Sequence, residues 1–122
     1  MSVATVRSIS YTAPARTLTE NQRLHWAERG RRVRAWRETT AWHALSAYGR
    51  LDPMPACLIG IAIPVRYQRR SDPSNWTPTC KAIVDGLVDA GWWPDDNSEW
   101  VTVLEPLLVV GETFVTVTAN AR

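Results

Sequence analysis

"TPTCKAIVDGLVDAG", residues 77–91, decides how this chain folds. Cys80, Ile83, Val84, Leu87 and Val88 recur at three- and four-residue spacing, the period of a helix with one apolar face. Thr77 before Pro78 offers an N-cap and first-turn pair and Gly91 a C-terminal stop, so the spacing predicts a short helix over 78–90. Before it, "ACLIGIAIPVRY", residues 56–67, is apolar on both faces for much of its length, as a central strand is. After it, residues 99–110 and 113–119 read as two strands joined around Gly111-Glu112 in a hairpin.

Working outward, "VATVRSISY", residues 3–11, mixes β-branched and polar residues and reads as a first strand, and residues 12–24 carry loop signals. Residues 26–48 form a long helical stretch with Val33, Trp36, Ala41, Leu45 and Tyr48 near one face and Gly49 as its stop. "RLDPMP", residues 50–55, is a turn. The order β, α, β, α, β, β implies a single α+β domain across residues 1–122, a mixed β-sheet of about four strands covered by two helices.

The composition, 45% hydrophobic and 21% charged, is that of an ordinary globular protein, with no apolar run long enough to span a membrane. "MSVATVRSIS" lacks the apolar core of a signal peptide, which sets the expectation of a cytoplasmic protein that meets no membrane. Cys57 and Cys80 have no Cys or His partner at zinc spacing and are expected as buried free thiols. The formal charge of +2 conceals an asymmetry. Residues 1–70 hold twelve arginines against four acids, net +8, whereas residues 71–122 hold two basic residues against eight acids, net −6. Such a division suggests a polyanion-binding surface beside a cation-binding one, or two halves that neutralise each other across the fold.

Asp72, Asp95 and Asp96 lie just outside the predicted elements, where loops on a rigid scaffold carry function. A hard cation such as Mg²⁺ takes one or two carboxylates plus water and substrate phosphate, which Asp72 with Asp95 or Asp96 can supply. The same residues also suit an Asp-Pro turn and a solvated turn. Lys81 and Asp85 stand four apart on one helix face, either as an exposed ion pair or as a cation held near a metal cluster to offset charge on a phosphate. "RLHWAERGRRVRAWR" interleaves Arg23, Arg29, Arg31, Arg32, Arg34 and Arg37 with Trp26 and Trp36, and only Glu28 opposes them. Guanidinium forks suit phosphates and aromatic rings stack on bases, so nucleic acid is the expected partner of this segment. His25 and His43 have no nucleophile or carboxylate beside them and are read as structural.

The stretch "RRSDPSN...KAIVDGLVDAGWWPDD" resembles the RusA-type Holliday-junction resolvases of bacteria and their phages. The family pattern has basic residues leading into Asp-x-Asp-Asn, then Lys-Ala-x-x-Asp-x-Leu-x-x-Ala-Gly on a helix, then Asp-Asp. It is matched at Arg69, Arg70, Asp72, Asn75, Lys81, Ala82, Asp85, Leu87, Ala90, Gly91, Asp95 and Asp96. Ser74 stands where the family has its second aspartate, and three extra residues separate Asn75 from Lys81.

The resemblance implies a homodimeric endonuclease dependent on Mg²⁺, with Mn²⁺ able to substitute, that resolves four-way DNA junctions. Asp72, Asp95, Asp96 and Lys81 would be catalytic, Asp72, Asp96, Asp95 and Asn75 the metal ligands, and Arg29, Arg31, Arg32, Arg34, Arg69 and Arg70 the DNA contacts. A helix of about 13 residues is roughly 20 Å long, so Asp72 and Asp96 meet only if the loops fold back along it or a two-fold dimer completes each site. Two other readings stand beside this one. One is a catalytically weakened binder of branched DNA, the other a structural domain that self-associates through its charged halves.

Overall fold

The computed structural model describes residues 5–20, 22–50, 52–66 and 72–122. The helix at the centre of the sequence argument forms as α2, Thr77–Asp89, and the long one as α1, Trp26–Tyr48. The strands are β1 (Val6–Thr12), β2 (Cys57–Val65), β3 (Val101–Val103), β4 (Leu107–Val110) and β5 (Phe114–Ala121). They make one mixed sheet in the order β1-β5-β2-β3, with β4 continuing the β3 edge beside β2. The domain is therefore α+β, with five strands where about four were expected, because the stretch 99–110 is split at residues 104–106.

β2 is central, as its apolar run implied, but the expected hairpin does not form. β3 and β4 pair with β2 in parallel on one side, and β5 pairs with it antiparallel on the other. Gly111–Thr113 therefore crosses the end of β2 instead of turning back along β4. The physical reason lies in β5, where Val115, Val117 and Ala119 alternate with exposed or half-exposed positions and are fully buried. The slot between β1 and β2 gives that strand a ladder on both sides and core on one face. A place beside β4 would leave it at the sheet edge.

One face of the sheet is buried and the other is open. Arg7, Ile9 and Tyr11 of β1, Cys57, Ile59, Ile61 and Ile63 of β2 and the three buried β5 residues point into the core. The opposite face carries hydroxyls, with Ser8 and Thr118 in contact at 3.1 Å and Ser10 and Thr116 at 3.2 Å. α1 buries the stripe Trp36, Thr40 and Ala44. It meets α2 very closely at Gly86, where an added Cβ would lie 2.4 Å from the Arg37 carbonyl oxygen, so the crossing depends on glycine.

Thr77 is not the N-cap of α2. A 3-10 turn, Pro73–Trp76, runs directly into the helix, Thr77 is already helical, and its hydroxyl donates to the Ser74 carbonyl at 2.6 Å. The loop after β1 straps this junction from outside. The Thr79 hydroxyl bonds both the N–H and the carbonyl of Leu18 at 2.8 Å, the Glu20 N–H reaches the Asn75 carbonyl at 2.9 Å, and the Trp76 indole donates to Thr17. Both cysteines are free and buried. No helix among the described residues is long and apolar enough to cross a membrane.

Candidate functional site

Just past the end of α2, Gly91 takes a φ of 87°, open to glycine and strained for other residues, and the chain reverses there. The Trp92 N–H returns to the Leu87 carbonyl at 3.1 Å. Trp92 and Trp93 then sink to 1% exposure, and the Trp93 indole N–H donates to the Pro55 carbonyl at 2.9 Å. This anchor sends residues 94–96 back alongside the helix. Asp96 reaches Lys81, which also bonds the Asp85 carboxylate at 2.9 Å.

Lys81 is thus a surface cation held between two carboxylates from separate segments. Its bonds to Asp96 and then Asp85 raise its pKa, so it remains a cation near neutrality. The same ammonium holds the Asp96 carboxyl below its ordinary value. One turn further along α2, Asp89 takes a bidentate fork from Arg37 of α1, at 2.6 and 2.8 Å. The charges of Asp85 and Asp96 also act on Arg37. Arg37 is the residue that sequence reasoning passed over here; its spacing gave no sign that it leaves the arginine-rich face to meet α2.

Asp95 directs its carboxylate inward to its own loop, one oxygen accepting from the Asp96 N–H at 2.7 Å and the other from the Asn97 amide at 3.2 Å. The two adjacent aspartates therefore divide their roles, one shaping the turn and one facing the lysine. Asp72 is exposed at the start of the 3-10 turn, where the Ser74 N–H donates to it at 3.0 Å. That bond, with the Ser74 hydroxyl, lowers the Asp72 pKa. Ser74 thus occupies the expected carboxylate position as a hydrogen-bond partner of Asp72. Asn75 is tied by its backbone, with its N–H on the Asp72 carbonyl at 2.9 Å.

Of the two loop movements considered from helix length, one occurs: 91–96 folds back to Lys81. No hydrogen bond or ion pair among the described residues joins Asp72 to Lys81, Asp95 or Asp96. No group of three or more His, Cys, Asp and Glu side chains among the described residues gathers around one point. A comparison with known protein families and with curated proteins finds no match.

As a cation site, the pair Asp85 and Asp96 fits in part. It already accommodates one hard positive charge, and Mg²⁺ asks for only one or two protein carboxylates, with water and phosphate completing its shell. Asp72 and Asp95 do not join that pair within one chain.

α1 and α2 run in the same general direction and cross at Gly86, with Trp36 bonded to Arg16 in the loop that straps the start of α2 and Tyr48 packed on Trp92 just beyond its end. The arginine-rich first half of α1 consequently lies toward the N-terminal end of α2. Glu28 pairs with Arg31 at 2.6 Å and with Arg32 at 3.0 Å, whereas Arg29 and Arg34 enter no ion pair among the described residues. Trp26, 79% exposed, stands at the head of this surface. His25 accepts from the Ala27 N–H at the start of α1, and His43 stacks on Tyr11 with ring centroids 5.0 Å apart. Arg69 and Arg70 lie outside the described residues.

Proposed function

We propose that this protein is a metal-dependent endodeoxyribonuclease that acts on branched DNA, the four-way junction above all, as the resemblance to the RusA-type resolvases implies. The observation that carries the reading is the meeting of Lys81, Asp85 and Asp96 at one exposed point. The sequence pattern singled out the same three positions, and the fold gives them a reason to be there.

The roles follow from charge. Lys81 is a protonated cation, so it serves as an electrostatic clamp for phosphate and not as a base. A DNA phosphate approaching Lys81 would displace Asp96 from the ammonium, freeing a carboxylate for a metal. Asp96 and Asp85 would hold that metal. When bound, Mg²⁺ or Mn²⁺ supplies Lewis-acid polarisation of the phosphodiester and an acidified water. Arg29 and Arg34 would fix the backbone of one arm, since phosphate contacts position the duplex. Asp72 enters the site most simply from a second copy, with the partner subunit's Asp72 brought to Lys81 by a two-fold axis.

A specific observation favours a second reading, a binder of branched DNA that cuts poorly. Among the described residues Asp72 bonds only within its own turn, and Ser74 brings no charge. One assay separates the two. A labelled synthetic four-way junction is incubated with the wild type, Asp96→Asn and Lys81→Ala, in Mg²⁺, in Mn²⁺ and in chelator. Paired nicks are expected only with metal, falling on the order of 10²–10³-fold in Lys81→Ala while junction binding persists. A wild type that retards the junction and cuts it with neither metal would leave the binding reading standing alone.

A further inference from the structure

The edge of the sheet holds an irregularity. From Ile59 to Ala62 the central strand advances three residues, while its edge partner advances four, from Val103 to Leu107. The one extra residue makes Leu104–Pro106 a bulge. The Leu104 N–H still reaches the Ile59 carbonyl at 2.9 Å, but Pro106 has no N–H to return to the ladder. Bulges re-aim side chains and are over-represented beside functional sites.

This bulge forms one wall of a cavity of about 310 Å³, at the lower limit of ligand pockets. Ser74, Thr77 and Cys80, from the Asp72 turn and the start of α2, form the other wall. The lining chemistry is selective. Val103 and Leu104 are 42% and 47% exposed, so apolar surface is open to a ligand. Burial pushes the Cys80 thiol up to about 12, which keeps it neutral. The Thr77 hydroxyl hydrogen is already engaged by the Ser74 carbonyl, leaving its oxygen as an acceptor. Glu105 is the only carboxylate among the described residues of the lining and an acceptor too. The described lining offers apolar surface and hydrogen-bond acceptors, which suit a flat ligand with apolar faces and an edge of N–H donors.

We propose that this cavity seats an unpaired guanine of bound DNA. Guanine alone among the DNA bases offers two adjacent N–H donors on its Watson–Crick edge, matching the two oxygens of a carboxylate such as Glu105. Unstacked bases are read in this manner, through their Watson–Crick edge within an apolar pocket. Because Ser74, on the lining, donates its N–H to Asp72 at 3.0 Å, the seat lies beside a residue assigned to cleavage, and it would choose the nucleotide next to the cut. The proposal rests on the DNA-processing reading and adds base choice to it.

The test measures binding and not cutting. Fluorescence anisotropy follows a labelled nonamer of thymidines and the same nonamer with one central guanine, adenine or cytosine. The wild type is expected to favour the guanine strand by about tenfold. Glu105→Gln should erase that preference and keep the affinity for the thymidine strand, and Leu104→Ala should weaken the guanine strand alone. Both side chains lie at an exposed edge, and circular dichroism checks that each variant folds. If the wild type binds all four strands equally, or Glu105→Gln keeps the preference, the guanine seat is wrong and the nuclease reading stands. If no strand and no four-way junction is bound, both fall together.

Discussion

At the N-terminal end of α2 the Asp72 carboxylate closes on Ser74, two residues away, and at the C-terminal end Asp96 crosses fifteen residues of sequence to reach Lys81. Both segments follow the same recipe of aspartate beside proline, and both are tied to the rest of the molecule. They differ in how the chain turns. Pro73–Trp76 winds as a 3-10 turn straight into α2, so Asp72 stays at its own end of the helix. Gly91 instead takes a positive φ, the two tryptophans sink into the core, and the chain doubles back beside the helix it has just left. A carboxylate becomes part of a site here because a glycine and a buried anchor reverse the backbone, and not because of its neighbours in sequence.

The comparison breaks most easily at the anchor. Trp93→Ala removes a fully buried indole and its bond to Pro55, and should cost about 3–5 kcal/mol of stability in denaturant unfolding. The same variant should release Asp96 from Lys81 and leave the Asp72 turn as it is. Gly86→Ala comes next, at about 1–3 kcal/mol, because its Cβ would press on the Arg37 carbonyl and drive α1 away from α2. With that shift the Arg37 fork on Asp89 should loosen, visible as a lower Asp89 contribution at acid pH. If Gly86→Ala unfolds at the wild-type denaturant midpoint, the close crossing is not what holds the two helices.

Periodicity made α1, α2 and the central strand legible, since a helix stripe and a doubly apolar run are local signals. The hairpin was misread for the same reason. β4 and β5 are adjacent in sequence with a glycine between them, but their pairing is decided by β2, which both contact. The split at 104–106 is visible only in register, as one residue too many opposite β2. Lys81 and Asp96 were legible as chemistry, whereas the recruitment of Arg37 and the inward turn of Asp95 depend on packing. Thr77 looked like a cap because Thr-Pro commonly opens a helix, yet Pro73 had already begun a tighter turn one step earlier.

Titration sharpens the comparison with the smallest effects. The Lys81–Asp96 pair is exposed enough to contribute only about 0.2–1 kcal/mol. The Asp96 pKa is depressed from about 3.8, so its share of that stability is present above that pH and is lost as pH falls through the folded value. The Lys81 pKa is raised from about 10.5, so its share is present below that pH and is lost as pH rises through the higher folded value. The pair therefore acts fully between these limits. Lys81→Met should move the Asp96 midpoint upward in an NMR titration and leave Asp72 unchanged. Ser74→Ala should do the reverse by a smaller step, because the Ser74 N–H, the larger cause of the Asp72 shift, survives the substitution. A Lys81→Met variant that shifts both midpoints alike would mean that Asp72 shares the Lys81 site after all, and that the two ends of α2 work within one chain.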